Sequence, residues 1–142
     1  LILGKGGKPA FPCNVSINNI AAHYTATADD QTTIQEGDLV KIDIGVHIDG
    51  FIADAAFSVC LNPDHETLVE AVEEALKATV EALKPDAKTN EIGEIIEKTI
   101  KKYGYRPIRD LTGHTLERYE IHGSKHIPNI KIPIGHTVEE EE

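Results

Sequence analysis

The sequence predicts an α/β (α+β) layer protein, a mostly antiparallel sheet with helices covering one face. Three observations predict it. EGDLVKIDIGVHI and FIADAAFSVCL read as strand, turn, strand about Asp49-Gly50, the strongest hairpin signal in the chain. Two stretches with helical apolar spacing follow, and short extended segments resume after Pro107.

Residues 1–38 hold turn-forming and short extended pieces, among them Lys8-Pro9 and the run AFPCNVSIN. After the hairpin, Asn62-Pro63 can open a helix, Asn as cap and Pro at the first position. Leu68, Val69, Val72, Leu76, Val80 and Leu83 then recur at helical spacing, which predicts a helix over 63–84, before Pro85. A second helix is expected over 89–103, from a Thr89 cap through Ile92, Ile95, Ile96, Ile100 and Tyr103. Lys98, Lys101 and Lys102 near its end and Gly104 as the stop complete that signature. LTGHTLERYEIHGSKHIPNI and IGHTV then bring four histidines on short extended segments.

The 142 residues suffice for one domain with a real core and do not require two. A composition 40% hydrophobic and 27% charged is that of an ordinary globular chain. Net charge is −10, with four of the acids gathered in Glu139–Glu142 as a solvated tail or cut end, which disfavours nucleic acid as the main partner. No apolar run approaches bilayer length, and LILGKGGKPAFP has no signal-peptide core. Cys13 and Cys60 form neither a disulfide framework nor a CxxC site, so a cytoplasmic location is expected. LGKGGKPA lacks the spacing and hydroxyl of a phosphate loop. The chain opens abruptly, contains no Met and stops on acids, which reads as a fragment.

Aspartate is depleted in strands, yet the hairpin carries Asp43, Asp49 and Asp54. With Asp49 and Gly50 in the turn, Ile48 lies opposite Phe51. Ile42, Ile44, Val46 and Ile48 then share an apolar face with Phe51, Ala53, Ala55 and Phe57, suited to cover by the two helices. The other face carries Asp43, Gly45 and His47 opposite Ala56, Asp54 and Ile52. Asp43 and Asp54 are diagonal neighbours there, with Cβ atoms about 7–8 Å apart or somewhat less. Two facing carboxylates repel unless a shared proton or divalent cations lie between them. Solvent on an uncovered sheet face is the other solution, and the hairpin alone does not choose. Asp49 is explained by the turn and is assigned no chemistry.

A dinuclear site on two aspartates needs further N or O ligands. His114 in LTGHTLE and His122 in YEIHGS are the best candidates, each beside a Gly that permits close backbone approach. His23 in AAHYT follows an apolar stretch, while His47, His65, His126 and His136 read as ordinary surface or core residues.

AFPCNVSINNIAAHYTATADD, KIDIGVHIDGFIADAAFSV, LTGHTLERYEIHG and IPNI resemble the type 2 methionine aminopeptidases, from about Gly6 to Val138 in matching order and spacing. The eleven-residue step from Asp43 to Asp54 is shared by the wider pita-bread superfamily, prolidases included; AAHYT and GHTLERYEIHG narrow it to this branch. The resemblance implies a pita-bread-like fold and removal of the initiator methionine from nascent polypeptides. It implies Asp43, Asp54 and His114 as metal ligands, Asp54 bridging two divalent ions, with Co, Mn, Fe and Zn all compatible. A water or hydroxide between the ions would be the nucleophile. His23 and His122 match catalytic histidines that contact substrate, and Phe11 and Ile121 fall where the family lines its methionine pocket. The family has two further Glu ligands on later strands, absent here, so residues 1–142 read as a single partial catalytic domain, truncated at both ends and weak in metal affinity. The partner would be the N-terminal methionine of nascent peptides, with a monomer expected when the fold is complete and a complementing fragment allowed. The alternatives are a non-catalytic pita-bread protein that binds RNA or proteins, and a prolidase-like peptidase. Retention of Asp43, Asp54, His23, His114 and His122 speaks against the first, and AAHYT with ERYEIHG against the second.

Overall fold

The computed structural model describes residues 2–140. Two of the four terminal glutamates, Glu141 and Glu142, lie outside the described residues. Glu139 pairs with Lys125, 3.2 Å from carboxylate Oε1 to Nζ. The chain divides into two compact units, one running to Glu66 and including Glu117–Ile121, the other comprising Thr67–Leu116 and the segment from His122 onward.

In the first unit, strands β1 (Lys8–Pro9), β2 (Asn14–Ile17), β3 (Leu39–Ile48) and β4 (Phe51–Cys60) form one antiparallel sheet. β3 is its centre, paired with β4 along one edge and with β1 and β2 along the other. The hairpin register is the one the turn dictates: Ile48 opposite Phe51, Gly45 opposite Asp54, Asp43 opposite Ala56. Asp49 and Gly50 take φ of 50° and 89°, the two left-handed positions of a tight turn whose twist matches the strands. Segment 117–121 buttons onto this turn. Tyr119 N–H donates to the Gly50 carbonyl (2.9 Å), Arg118 Nε donates to that of Asp49 (2.8 Å), and the guanidinium lies 5.4 Å over the Phe51 ring. On the apolar face, which the sequence suits to helix cover, Phe51 and Phe57 remain 71% and 54% exposed.

The second unit holds helices α1 (Glu66–Ala82, its first residue counted with the sheet) and α2 (Thr89–Lys102) and the strand pair β5 (Thr112–His114) and β6 (His126–Pro128). The expected Asn62-Pro63 start is present but opens a 3-10 turn, Pro63–His65, with the Asn62 side chain accepting from Asp64 N–H. On α1, Val72, Leu76 and Val80 are more than half exposed, whereas Ala71 and Ala75 are buried against Ile100, Ile96, Tyr103 and Tyr105, so the bulk of this core comes from α2 and the residues after it. One expectation is overturned here: Thr89 is not the α2 cap. It is the first helical residue, and its hydroxyl accepts from His136 N–H (3.0 Å). Gly104 does end the helix, left-handed at φ 82°, its N–H donating to Lys101 O.

Gly93 lies in the middle of α2, where alanine would be favoured by about 1 kcal/mol on propensity alone. A Cβ there would come within 2.5 Å of the Ile130 carbonyl and 2.7 Å of the Pro128 carbonyl. Backbone cannot yield as a side-chain tip can. Gly93→Ala is therefore expected to destabilise by about 1–3 kcal/mol, against its helix propensity, as measured by urea or thermal unfolding.

Candidate functional site

The first unit brings the acids together as the register requires. Directly paired residues on β2, β3 and β4, namely Asn14, Asp43 and Ala56, lie in one row across the sheet. Asp54, opposite Gly45, is the diagonal neighbour of Asp43 on the same face, because side chains alternate with period two. Asp43 is half-buried and Asp54 exposed. Phe11 lies on this face too. Its ring occupies the space that a Cβ on Gly45 would take, so the missing side chain at 45 is what admits the aromatic ring beside the acids. β1 leads it there, with Ala10 N–H donating to the Gly45 carbonyl at 2.9 Å.

His23 is exposed, on the loop after β2, with φ 65° in the left-handed region that non-glycine residues seldom occupy. The residues after it are tied to β2: Val15 N–H donates to the Tyr24 carbonyl (2.8 Å) and Tyr24 N–H to Ser16 Oγ (3.3 Å). Strained backbone held by such bonds is a recurrent property of functional positions. Ile121 is half-buried and closes segment 117–121 of this unit.

The second unit brings His114 and His122 together, their ring centroids 4.6 Å apart at 73° in an edge-to-face contact. His114 ends β5, and the chain returns beside it through Gly123, whose N–H donates to the Thr115 carbonyl (2.8 Å). A Cβ at 123 would meet Thr115, so this glycine does permit the close approach expected of it. Gly113 does not share that role, since a Cβ there would meet nothing nearer than ordinary contact with Ile127.

Two carboxylates on one sheet face fit a divalent cation in charge and donor chemistry. Among the described residues no group of three or more His, Cys, Asp or Glu stands together as a metal cage. Asn14 and Thr25 are the participants that sequence reasoning missed. Asn14 is 7% exposed, and its Nδ2 donates to Asp43 Oδ2 at 3.1 Å, while Thr25 Oγ1 donates to Asn14 Oδ1 at 2.6 Å. The available signal was polar residues at alternate positions of NVSI, which marks a strand with one polar, buried face.

Paired acids on an antiparallel hairpin lie in the first unit, and a histidine pair on short segments after two helices lies in the second. Comparison with known proteins identifies the family. The profile of Metallopeptidase family M24 matches residues 2–142, and the chain belongs to that family. The methionine aminopeptidase of Thermococcus onnurineus is 51% identical over 132 residues, covering 93% of this chain and 45% of its own length. A solved methionine aminopeptidase from Rickettsia prowazekii superposes with a TM-score of 0.83 at 27% identity, over 98% of this chain and 59% of that one. The prolidase of Pyrococcus furiosus gives 0.74 at 27% identity, over 93% and 39%. The chain spans about half the length of the curated relatives it matches. The family is one of metal-dependent peptidases, and no helix among the described residues is long and apolar enough to cross a membrane.

Gly45→Ala is expected to expel the Phe11 ring from the acid face. Unfolding should show a loss of about 1–3 kcal/mol, and Phe11 ring resonances should shift.

Proposed function

We propose that the protein carrying this sequence is a methionine aminopeptidase, which hydrolyses the N-terminal methionine from nascent polypeptides in the cytoplasm with two divalent ions. The observation that carries the reading is the projection of Asp43 and Asp54 from one face of the β3–β4 hairpin. The relatives named methionine aminopeptidase, 43–51% identical over most of this chain, support it. Residues 1–142 are in this reading part of one catalytic domain.

Asp43, Asp54 and His114 would hold the metal, and Co, Mn, Fe or Zn would suit these oxygen and nitrogen donors. When bound, the cations would polarise the scissile carbonyl and make a water acidic enough to attack at neutral pH. His23 and His122 are the groups that contact substrate, offering ring N–H donors to the carbonyl oxygen as negative charge develops there. Phe11 and Ile121 give the methionine side chain an apolar wall. Phe11 is suited to this because Gly45 lets its ring lie on the face that carries the acids. Sulfur against an aromatic ring is itself a favourable contact.

The test is methionine release from Met-Ala-Ser with added Co or Mn, in the protein that carries this sequence. Asp43→Asn and Asp54→Asn are each expected to lower kcat/KM by more than the 10–100-fold typical of a residue that only supports a ligand, at about 100-fold or beyond. Undiminished turnover in both variants overturns the metal reading. Preferential cleavage of Xaa-Pro dipeptides would instead assign a prolidase.

A further inference from the structure

We propose that Asn14 is a positioning residue that joins the loop carrying His23 to the Asp43 carboxylate, an inference that rests on Asp43 serving as a metal ligand. Asn14 sits directly opposite Asp43 in the β2–β3 register and is almost wholly buried. A buried amide left without partners is costly, so its two bonds are what make it tolerable there. Their direction is fixed by chemistry. An ionised carboxylate can only accept, so the amide nitrogen must face Asp43 and the amide oxygen must face Thr25. The Thr25 hydroxyl then donates to that oxygen. One side chain thus spans from β3 to the loop two residues past His23.

The length and polarity at position 14 are both constrained. Serine would be too short to reach both partners. Aspartate would keep the acceptor for Thr25 but set a second negative charge against Asp43. Asparagine offers a neutral donor at one end and an acceptor at the other. The bond engages Oδ2 of Asp43 and so selects which way the carboxylate presents its other oxygen. Groups that hold a metal-ligating carboxylate in this way typically contribute 10–100-fold to metal affinity. On the loop side, Thr25 adds a third bond to the two that tie Tyr24 to β2. His23, with its left-handed backbone, is thereby held at the edge of the same strand that supports Asp43.

The experiment has a metal-free arm and a metal arm. In 15N-labelled protein without metal, the Asn14 side-chain amide should exchange slowly with solvent and shift when Asp43 is replaced by Ala. In the second arm, Mn2+ affinity should fall about tenfold or more in Asn14→Ala at a melting temperature that shows the fold retained. Thr25→Val, on an exposed residue, should give a smaller loss, and Thr25→Ser should restore the affinity; a role in packing alone would not follow the hydroxyl. An Asn14 amide unmoved by Asp43→Ala, or Mn2+ affinity unchanged in both Asn14→Ala and Thr25→Val, overturns the Asn14 role and leaves the metal reading standing. Absence of Mn2+ binding in the unsubstituted protein, with the amide coupling intact, overturns the metal reading and the positioning role with it.

Discussion

The register of one hairpin is the constraint on which the site depends. Asp49 and Gly50 both adopt left-handed backbone, and this fixes which residues of β3 and β4 face each other. A slip of one residue would send every side chain of β4 to the opposite face, taking Asp54 away from Asp43 and putting Ala53 and Ala55 in its place. The turn is therefore what places two acids on one face of the sheet, and segment 117–121 reinforces it through Arg118 and Tyr119.

Around the acids the sheet departs from a simple apolar-in, polar-out pattern. Asn14 and Ser16 are buried polar residues on β2, and each is satisfied by the loop that follows His23. Gly45 contributes by having no side chain, and Phe11 fills the resulting space. Polar satisfaction on one side and a close aromatic contact on the other leave the Asp43 carboxylate in a defined setting. Both features are local to the first unit and arise from segments near in sequence to the hairpin or paired with it.

Much of this was legible in the sequence, for physical reasons that differ by element. The hairpin was readable because Asp-Gly and strict alternation leave one register. The end of α2 was readable because Gly104 is the residue that a left-handed stop demands. The helix α1 was readable from the spacing of its large side chains, but its contact through Ala71 and Ala75 was not, since their small size signals nothing by itself. Thr89 was misread because a hydroxyl at a helix start has two possible uses, and here it receives the His136 amide. Asn14 was passed over because AFPCNVSIN was read only as a short extended piece, and its strand partner Asp43 is 29 residues away. The His114–His122 contact needed the return of the chain through Gly123, which no local pattern specifies.

His23 carries a consequence of its own. Its backbone occupies a region where glycine or asparagine would rest at lower energy, by about 1 kcal/mol or more. Replacement by glycine would thus relieve torsional strain while deleting the imidazole. In the proposed site, what the backbone favours at this position and what the imidazole would supply therefore run in opposite directions.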